Sequence, residues 1–206
     1  MATKTNITTI FTDLGGVILT NGWDRHARQK AVELFGLDAK ETEERHHLTF
    51  DTYEVGKLTL HEYLERVVFY KRRKFSVEDF AKFMYKQSTS YQVMIDLKKK
   101  LKTKYNLKIA VVNNEGRELN DYRIKKFKLT EFVDFFISSS FVHFRKPDVD
   151  IFKLALDVAQ MPVKNIVYLD DRPLFVQVAE GLGIKGIVHT DYDSTVEKLK
   201  KLGLEV

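Results

Sequence analysis

Three acidic residues stand at the ends of short apolar, β-branched segments, and that placement is the first sign of chemistry in this chain. Asp13 follows Ile7-Thr8-Thr9-Ile10-Phe11-Thr12, and Asp170-Asp171 follow Ile166-Val167-Tyr168-Leu169. Two other polar groups have a similar setting. Asn113-Asn114-Glu115-Gly116 comes after Leu107–Val112, and Arg145-Lys146-Pro147-Asp148 precedes an apolar helical pattern. A single aspartate after a strand is commonly a turn former or helix cap. Carboxylates that end two separate buried strands, however, repel one another unless a cation lies between them. Oxygen donors with open positions suit Mg²⁺, which keeps waters and binds through one or two carboxylates and a substrate phosphate. A lysine beside such a site offsets the remaining charge of a bound phosphate.

These groups meet only if the segments ahead of them are neighbouring parallel strands. Five segments read as strands: Ile7–Phe11, Leu107–Val112, Val133–Ser138, Ile166–Leu169 and Gly186–His189. Strands that are apolar throughout and alternate with helices imply a parallel sheet covered on both faces. The fold class is therefore α/β, a Rossmann-like parallel sheet core. In such a sheet, ligands bind outside the carboxyl ends of the strands. Asp148 can cap a helix buried through Ile151, Phe152, Ala155, Leu156 and Ala159. Gly181-Leu182-Gly183 reads as a helix end, since a dinucleotide loop needs a strand–turn–helix context that is missing there.

Between Asn21 and Gln92 the pattern changes to helix starts alone. Asp24 can cap a helix buried through Ala27, Ala31, Leu34 and Phe35, stopped by Gly36. Thr59-Leu60-His61-Glu62 forms a capping box ahead of Leu64, Val67 and Val68. Ser76-Val77-Glu78-Asp79 opens another helix, with Phe80, Phe83 and Met84 inward. The expected organisation is a core of residues 1–20 and 93–206, with a helical cap of residues 21–92 inserted after the first strand.

Composition bounds the rest. A chain of 206 residues with 44% hydrophobic and 31% charged residues is long enough for one domain with a modest insert. The absence of cysteine removes disulfides, thiolate metal sites and a cysteine nucleophile. No apolar run approaches the ~18 residues of a membrane span, and Met1–Asn6 lacks the apolar core of a signal peptide. A cytoplasmic protein, monomer or homodimer, is expected, with no membrane partner. A net charge of +5 raises the question of nucleic acid. The densest run, Lys98–Lys104, reads instead as the solvated C-terminal end of a helix buried through Met94, Leu97 and Leu101, where cations oppose the macrodipole. No nucleic-acid partner is expected; a mildly basic surface favours small anionic substrates. His46 and His47 are expected on the surface, pointing apart by about 100° of helical turn. Trp23 is expected to pack between cap and core.

Thr9-Ile10-Phe11-Thr12-Asp13-Leu14-Gly15-Gly16-Val17-Ile18 resembles the first signature of the haloacid dehalogenase-like hydrolase superfamily. Ile109–Asn114 falls where the second signature lies, Arg145-Lys146-Pro147-Asp148 resembles the third, and Val167–Arg172 the fourth. The inserted helices resemble a C1-type four-helix cap, including the segment Tyr53-Glu54-Val55-Gly56-Lys57-Leu58. The resemblance covers nearly the whole chain. It implies a Mg²⁺-dependent phosphatase of a small phosphorylated metabolite, of the sugar phosphate or nucleotide class. Asp13 would be the nucleophile that forms an aspartyl-phosphate and also a metal ligand. The Gly15 carbonyl and the fourth-signature carboxylates would complete the Mg²⁺ site, Asp171 directly and Asp170 supporting or sharing it. Lys146 would hold the phosphoryl oxygens. Gly15, Gly16, Asn113 and Asn114 would contact the phosphate.

The chain departs from that family pattern at several positions. The second aspartate that usually supplies a general acid–base is replaced by Gly15, a loss typically costing ~10²–10⁴-fold. His26 and Asp24 are candidate substitutes from the cap. Asn113 stands where Ser or Thr normally donates to phosphate, although an amide can also donate. Phe175 replaces a common polar residue. Two alternatives follow: a catalytically weak or non-catalytic phosphate-binding protein, favoured by Gly15 and Asn113, and a metal-independent haloacid dehalogenase, which the Asp170-Asp171 pair opposes.

Overall fold

A computed structural model describes residues 5–206; the reading of Met1–Asn6 as lacking a signal sequence falls largely outside them. Five parallel strands form one sheet, β1 (Thr9–Thr12), β2 (Lys108–Asn113), β3 (Phe135–Ser138), β4 (Ile166–Asp170) and β5 (Lys185–Val188), in the order β3-β2-β1-β4-β5. All five expected strands are present, within two residues at their ends. The central strand β1 is buried on both faces because its residues alternate between two apolar layers. Ile10 faces a layer with Leu97 and Leu101 of helix α5 (Gln92–Tyr105) and Leu199 of α10 (Tyr192–Lys201). Phe11 faces a second layer with Phe152 and Ala155 of α8 (Val149–Ala159) and Val176 of α9 (Pro173–Gly181). The chain runs outward from β1 through β2 to β3, then returns to the other side of β1 with β4. That reversal opens a crevice at the carboxyl ends of β1 and β4.

Between β1 and α5 lie four helices and no strand: α1 (Arg25–Phe35), α2 (Ala39–Glu54), α3 (Leu60–Val67) and α4 (Val77–Lys86). The local signals act as read. Asp24 accepts from the Ala27 amide, Gly36 closes α1 in the left-handed conformation, and Thr59 and Ser76 form reciprocal capping boxes. The helices bury an aromatic cluster of Trp23, Phe80 and Tyr63 with Leu64 and Met84, and Leu119 of α6 (Arg117–Lys126) joins it from the core. Trp23 Nε1 donates to Tyr63 Oη at 2.8 Å, and that hydroxyl lies 2.7 Å from His46 Nδ1. Tyr63 therefore accepts from the indole, which can only donate, and the same hydroxyl pairs with the imidazole. The two chain crossings into the helical segment are laced together. The Thr20 amide donates to Thr89 O at 2.9 Å, and Thr20 Oγ1 to Gln87 O at 2.9 Å.

Three expectations are corrected. His46 is buried rather than on the surface, because its partner Tyr63 sits at the centre of the helical cluster; burial holds its imidazole down at about 4, so it stays neutral. His47 is exposed, on the other side of the helix. Leu34 is 67% exposed, so the buried stripe of α1 runs through Ala27 and Ala31 instead. Lys98 is fully buried, unlike the rest of its basic run, because α5 turns that position toward the sheet.

No donor–acceptor partner meets Lys98 Nζ among the described residues, and burial pulls its pKa down to about 7. A lysine held below its unfolded pKa costs stability in full when both states are protonated, below pH 7. The cost is relieved as pH rises from about 7 toward 10.5, because there the unfolded chain binds the extra proton. Lys98→Met is expected to stabilise the protein by roughly 1–3 kcal/mol at pH 7 and to flatten that rise. Urea denaturation of both proteins at pH 6 and pH 9 measures it.

Candidate active site

Asp13 is placed by its strand. Its amide donates to Leu169 O at 2.8 Å, and the pairing of Thr12 with Leu169 sets Asp13 beside Asp170 at the carboxyl end of the sheet. Lys146 comes to the same point from the segment between α7 (Ser139–Val142) and α8, immediately before a cis Lys146–Pro147 peptide. Its Nζ lies 3.1 Å from Asp13 Oδ1, 2.6 Å from Asp170 Oδ2 and 3.0 Å from Tyr168 Oη. Tyr168 also donates a short hydrogen bond to Asp170 Oδ2, and the Arg172 amide donates to Asp170 Oδ1 at 2.7 Å. Asp170 is thus fully buried with both oxygens engaged. Asp171 is turned outward and its side chain is 24% exposed.

One lysine faces three carboxylates, whose oxygens can lie within 4.8 Å of one another. Burial pushes the Asp13 carboxyl up to about 7; the Lys146 charge opposes this and the Asp170 charge adds to it. Asp171 is also raised, by burial and by Asp170. Burial alone would lower Lys146, but Asp13 and Asp170 together hold it above its usual value, so it remains a cation. The donor set is all oxygen and carries an excess of negative charge, which is the chemistry that fits a hard divalent cation such as Mg²⁺.

Glycine is required at position 16. Its φ of +72° is left-handed, and a Cβ there would stand 2.3 Å from Asp171 Oδ2. At Gly15 the space beside the backbone is already occupied, since a Cβ would meet Asn21 Oδ1 at 2.6 Å. The position where relatives would carry a second aspartate is filled by an amide from the start of the helical segment.

The two expected amides separate. Asn114 lines the cavity, but its side chain is clamped to Lys146: Nδ2 donates to Lys146 O at 2.9 Å and Oδ1 accepts from the Lys146 amide at 2.8 Å. Asn113 is turned away. It forms a closed ring with Asn120 and Ser138, donating to Asn120 Oδ1 at 3.1 Å and accepting from Ser138 Oγ at 2.7 Å. The side chain of Asn113 is therefore committed to tying β2, β3 and α6 together. The acid–base candidates do not gather either. His26 is exposed, and the Asp24 carboxylate is engaged in capping α1.

Above the carboxylates lies a cavity of two adjoining lobes, about 320 and 490 Å³, which share Asp13, Asn21, Phe50, Glu54, Asn114 and Arg172. Phe175 lines it, with its ring centroid 5.0 Å from Lys146 Nζ, so the apolar departure from the family pattern becomes a cation–π neighbour. Of the residues from the helical segment that face it, Asp24 is an acid–base candidate in the sequence, whereas Arg25, Arg28, Phe50 and Glu54 are not marked there as site residues. Tyr168 had a readable signal, being two residues before Asp170 on one strand and hence on the same face. Arg145 and Glu54, an ion pair across the cavity wall, lie within the segments that resemble the third signature and the cap, with no signal of a role of their own.

The comparisons bear on the family and the fold. Residues 18–189 match the haloacid dehalogenase-like hydrolase family. The chain belongs to that family. Among curated relatives of this haloacid dehalogenase-like hydrolase, flavin mononucleotide hydrolase 1 of Arabidopsis thaliana is 24% identical over 86% of the chain and 72% of its own length. Bifunctional epoxide hydrolase 2 of Sus scrofa is 35% identical over 34% of the chain, and the match spans 12% of that larger protein. A haloacid dehalogenase-family enzyme of Bacteroides thetaiotaomicron, solved with magnesium and inorganic phosphate, superposes with a TM-score of 0.77 at 21% identity, covering 92% of this chain and 98% of its own. An L-2-haloacid dehalogenase of Xanthobacter autotrophicus superposes at 0.63 with 15% identity, covering 95% and 83%. At such identities the structures establish a shared fold. Among the described residues, no helix is long and apolar enough to cross a membrane.

The buried carboxylate at Asp170 makes Lys146 structurally necessary. Lys146→Met is expected to destabilise the hydrolase by about 3–5 kcal/mol at pH 7, because it strands a buried charge. Adding Asp170→Asn is expected to recover part of that loss. Urea denaturation of the single and double variants checks both.

Proposed function

We propose that the protein is a Mg²⁺-dependent phosphatase of small phosphate monoesters, with residues 21–92 acting as a cap over the phosphate site. The observation that carries this reading is the placement of Asp13 at the end of the central strand, 3.1 Å from a buried lysine and beside the outward-turned Asp171. Asp13, Asp171 and the Gly15 carbonyl would hold the metal, with Asp170 as the inner support that fixes Lys146. When bound there, Mg²⁺ supplies charge neutralisation at the phosphoryl oxygens.

Asp13 is the nucleophile: its carboxylate attacks phosphorus, and the phosphoaspartyl group is then hydrolysed. Lys146 stays cationic between two carboxylates, so it stabilises charge on the transferring group without having to gain or lose a proton. Asn114 holds the Lys146 backbone and thereby the distance between ammonium and nucleophile. Gly16 lets Asp171 approach the backbone. The leaving group occupies the cavity between the strand ends and the helices, where Trp23 and Phe50 offer apolar contact and Arg25 a cation. That lining suits a phosphorylated metabolite of the sugar phosphate or nucleotide class. The hydrolase named for flavin mononucleotide and the fold relative bound to magnesium and phosphate both support this chemistry.

A second reading, a phosphate-binding protein with little turnover, has one specific observation in its favour: Asn21 fills the place of the usual acid at position 15. Activity against p-nitrophenyl phosphate separates the two. Turnover is expected with Mg²⁺, is lost on chelation, and falls by more than ~10³-fold in Asp13→Asn. Undetectable turnover in the wild-type protein, or undiminished turnover in the variant, would overturn the phosphatase reading.

A further inference from the structure

The helical segment brings two carboxylates to the reaction cavity, Asp24 and Glu54, and of these Glu54 alone lines both lobes. Glu54 is the last residue of α2, it is 6% exposed, and it lines both lobes together with Asp13. Its backbone is fixed by the core. Ser139 Oγ donates to Glu54 O at 2.7 Å, and His143 Nδ1 lies 2.7 Å from Val55 O. Gly56, two residues on, approaches Ser140 so closely that a Cβ would stand 2.4 Å from its carbonyl oxygen. The carboxylate meets one cation, Arg145, whose Nη2 is 2.7 Å from Oε2 while Nη1 is 2.6 Å from Asp51 Oδ1. Despite that proximity, no donor is aligned on the buried Oε2 among the described residues. A shared and misaligned guanidinium compensates a buried carboxylate only partly.

We infer that Glu54 is the general acid–base of the reaction, delivered from the cap in place of the aspartate that position 15 lacks. This rests on the phosphatase reading and adds the missing proton. In the first step a bond forms between an Asp13 oxygen and phosphorus, the bond from phosphorus to the leaving oxygen breaks, and the Glu54 carboxyl proton passes to that oxygen. The products are an alcohol, aspartyl-phosphate and the Glu54 carboxylate. In the second step water attacks phosphorus and yields its proton to Glu54. The bond from phosphorus to Asp13 breaks, releasing inorganic phosphate and restoring both carboxyl groups.

The electrostatic setting fits an acid that is half protonated near neutrality. Burial pushes Glu54 up to about 7; Arg145 opposes this, while Glu115 and Asp51 add to it. Its position at the negative end of α2 also favours the neutral carboxyl. Of the other cations facing this part of the cavity from the core, Arg123 is already bound to Glu115 in a buried ion pair, and Arg172, which lines both lobes, has its Nε 3.9 Å from Asp171 Oδ1. Asp24, the alternative acid from the helices, accepts the Ala27 amide proton and stays a helix cap.

A series of substituted phenyl phosphates, hydrolysed with Mg²⁺ by the wild type and Glu54→Gln, tests the assignment. Protonation matters more as the leaving group becomes more basic. The loss of kcat/KM is expected to be under ~10-fold for p-nitrophenyl phosphate and to grow toward ~10²–10⁴-fold for phenyl phosphate. Because the second step also needs Glu54, the variant should show a burst of nitrophenolate as aspartyl-phosphate accumulates. The wild-type kcat/KM for phenyl phosphate should fall above about pH 7, as the acid loses its proton, and the variant should lack that limb. Should Glu54→Gln misfold, Glu54→Asp serves, with the alkaline limb displaced rather than lost. A loss of equal size across the series, without burst or change in pH profile, would make Glu54 a structural contact and overturn the inference while leaving the phosphatase reading intact. Failure of the wild type to hydrolyse any member would remove both.

Discussion

A buried ammonium shared by two aspartates on adjacent strands is the contact around which the molecule is organised. Lys146 reaches Asp13 and Asp170 from outside the sheet. Parallel strands covered on both faces leave only their carboxyl ends open, so polar residues placed there are forced into one small volume. Asp170 is spent on the lysine, Tyr168 and a backbone amide, and it is the neighbouring Asp171 that faces the cavity. The arrangement carries one positive charge against three carboxylates. On the proposed reading, that imbalance suits a bound cation and phosphate.

The helices after β1 are attached to that centre rather than laid over it. Arg145, adjacent to Lys146 in sequence, extends the same segment to Asp51 and Glu54 at the end of α2. Arg123 joins Glu115, after β2, to the carbonyl of Thr20, where the chain leaves the core. Leu119 of α6 is packed into the aromatic cluster of the helical segment. Placement of the reacting group and closure of its cavity thus share residues, and a shift in one is felt in the other. Such coupling suits chemistry that needs water excluded during the first transfer and admitted for the second.

Much of this was readable from the amino-acid order, for identifiable reasons. The strands were apolar on both faces, so their extent and the residues ending them stood out, and the caps at Asp24, Thr59 and Ser76 used side chains whose hydrogen bonding is local. Residues whose meaning depends on direction were less legible. Asn113 and Asn114 are neighbours with identical chemistry, yet one closes a ring with Asn120 and Ser138 and the other grips Lys146. Lys98 belongs to a basic run that is otherwise solvated, and helix rotation against the sheet decides which lysine is buried. His46 looked like half of an exposed pair until Tyr63, from a different helix, arrived beside it.

The sequence alone determined the fold class, the order of the elements, and the identities of the nucleophile candidate, the lysine and the acidic pair, because hydrophobic periodicity and the residue following each strand are properties of adjacent positions. Tertiary structure decided what no local pattern encodes. It distinguished the inner from the outer aspartate, filled the space at Gly15 with Asn21, turned Asn113 away, and brought Glu54 into the cavity from a helix that begins 26 residues after Asp13. Those outcomes depend on distances between segments far apart in the chain. They are set by the closure of one packed body on another, where charge, volume and hydrogen bonds have to be satisfied together.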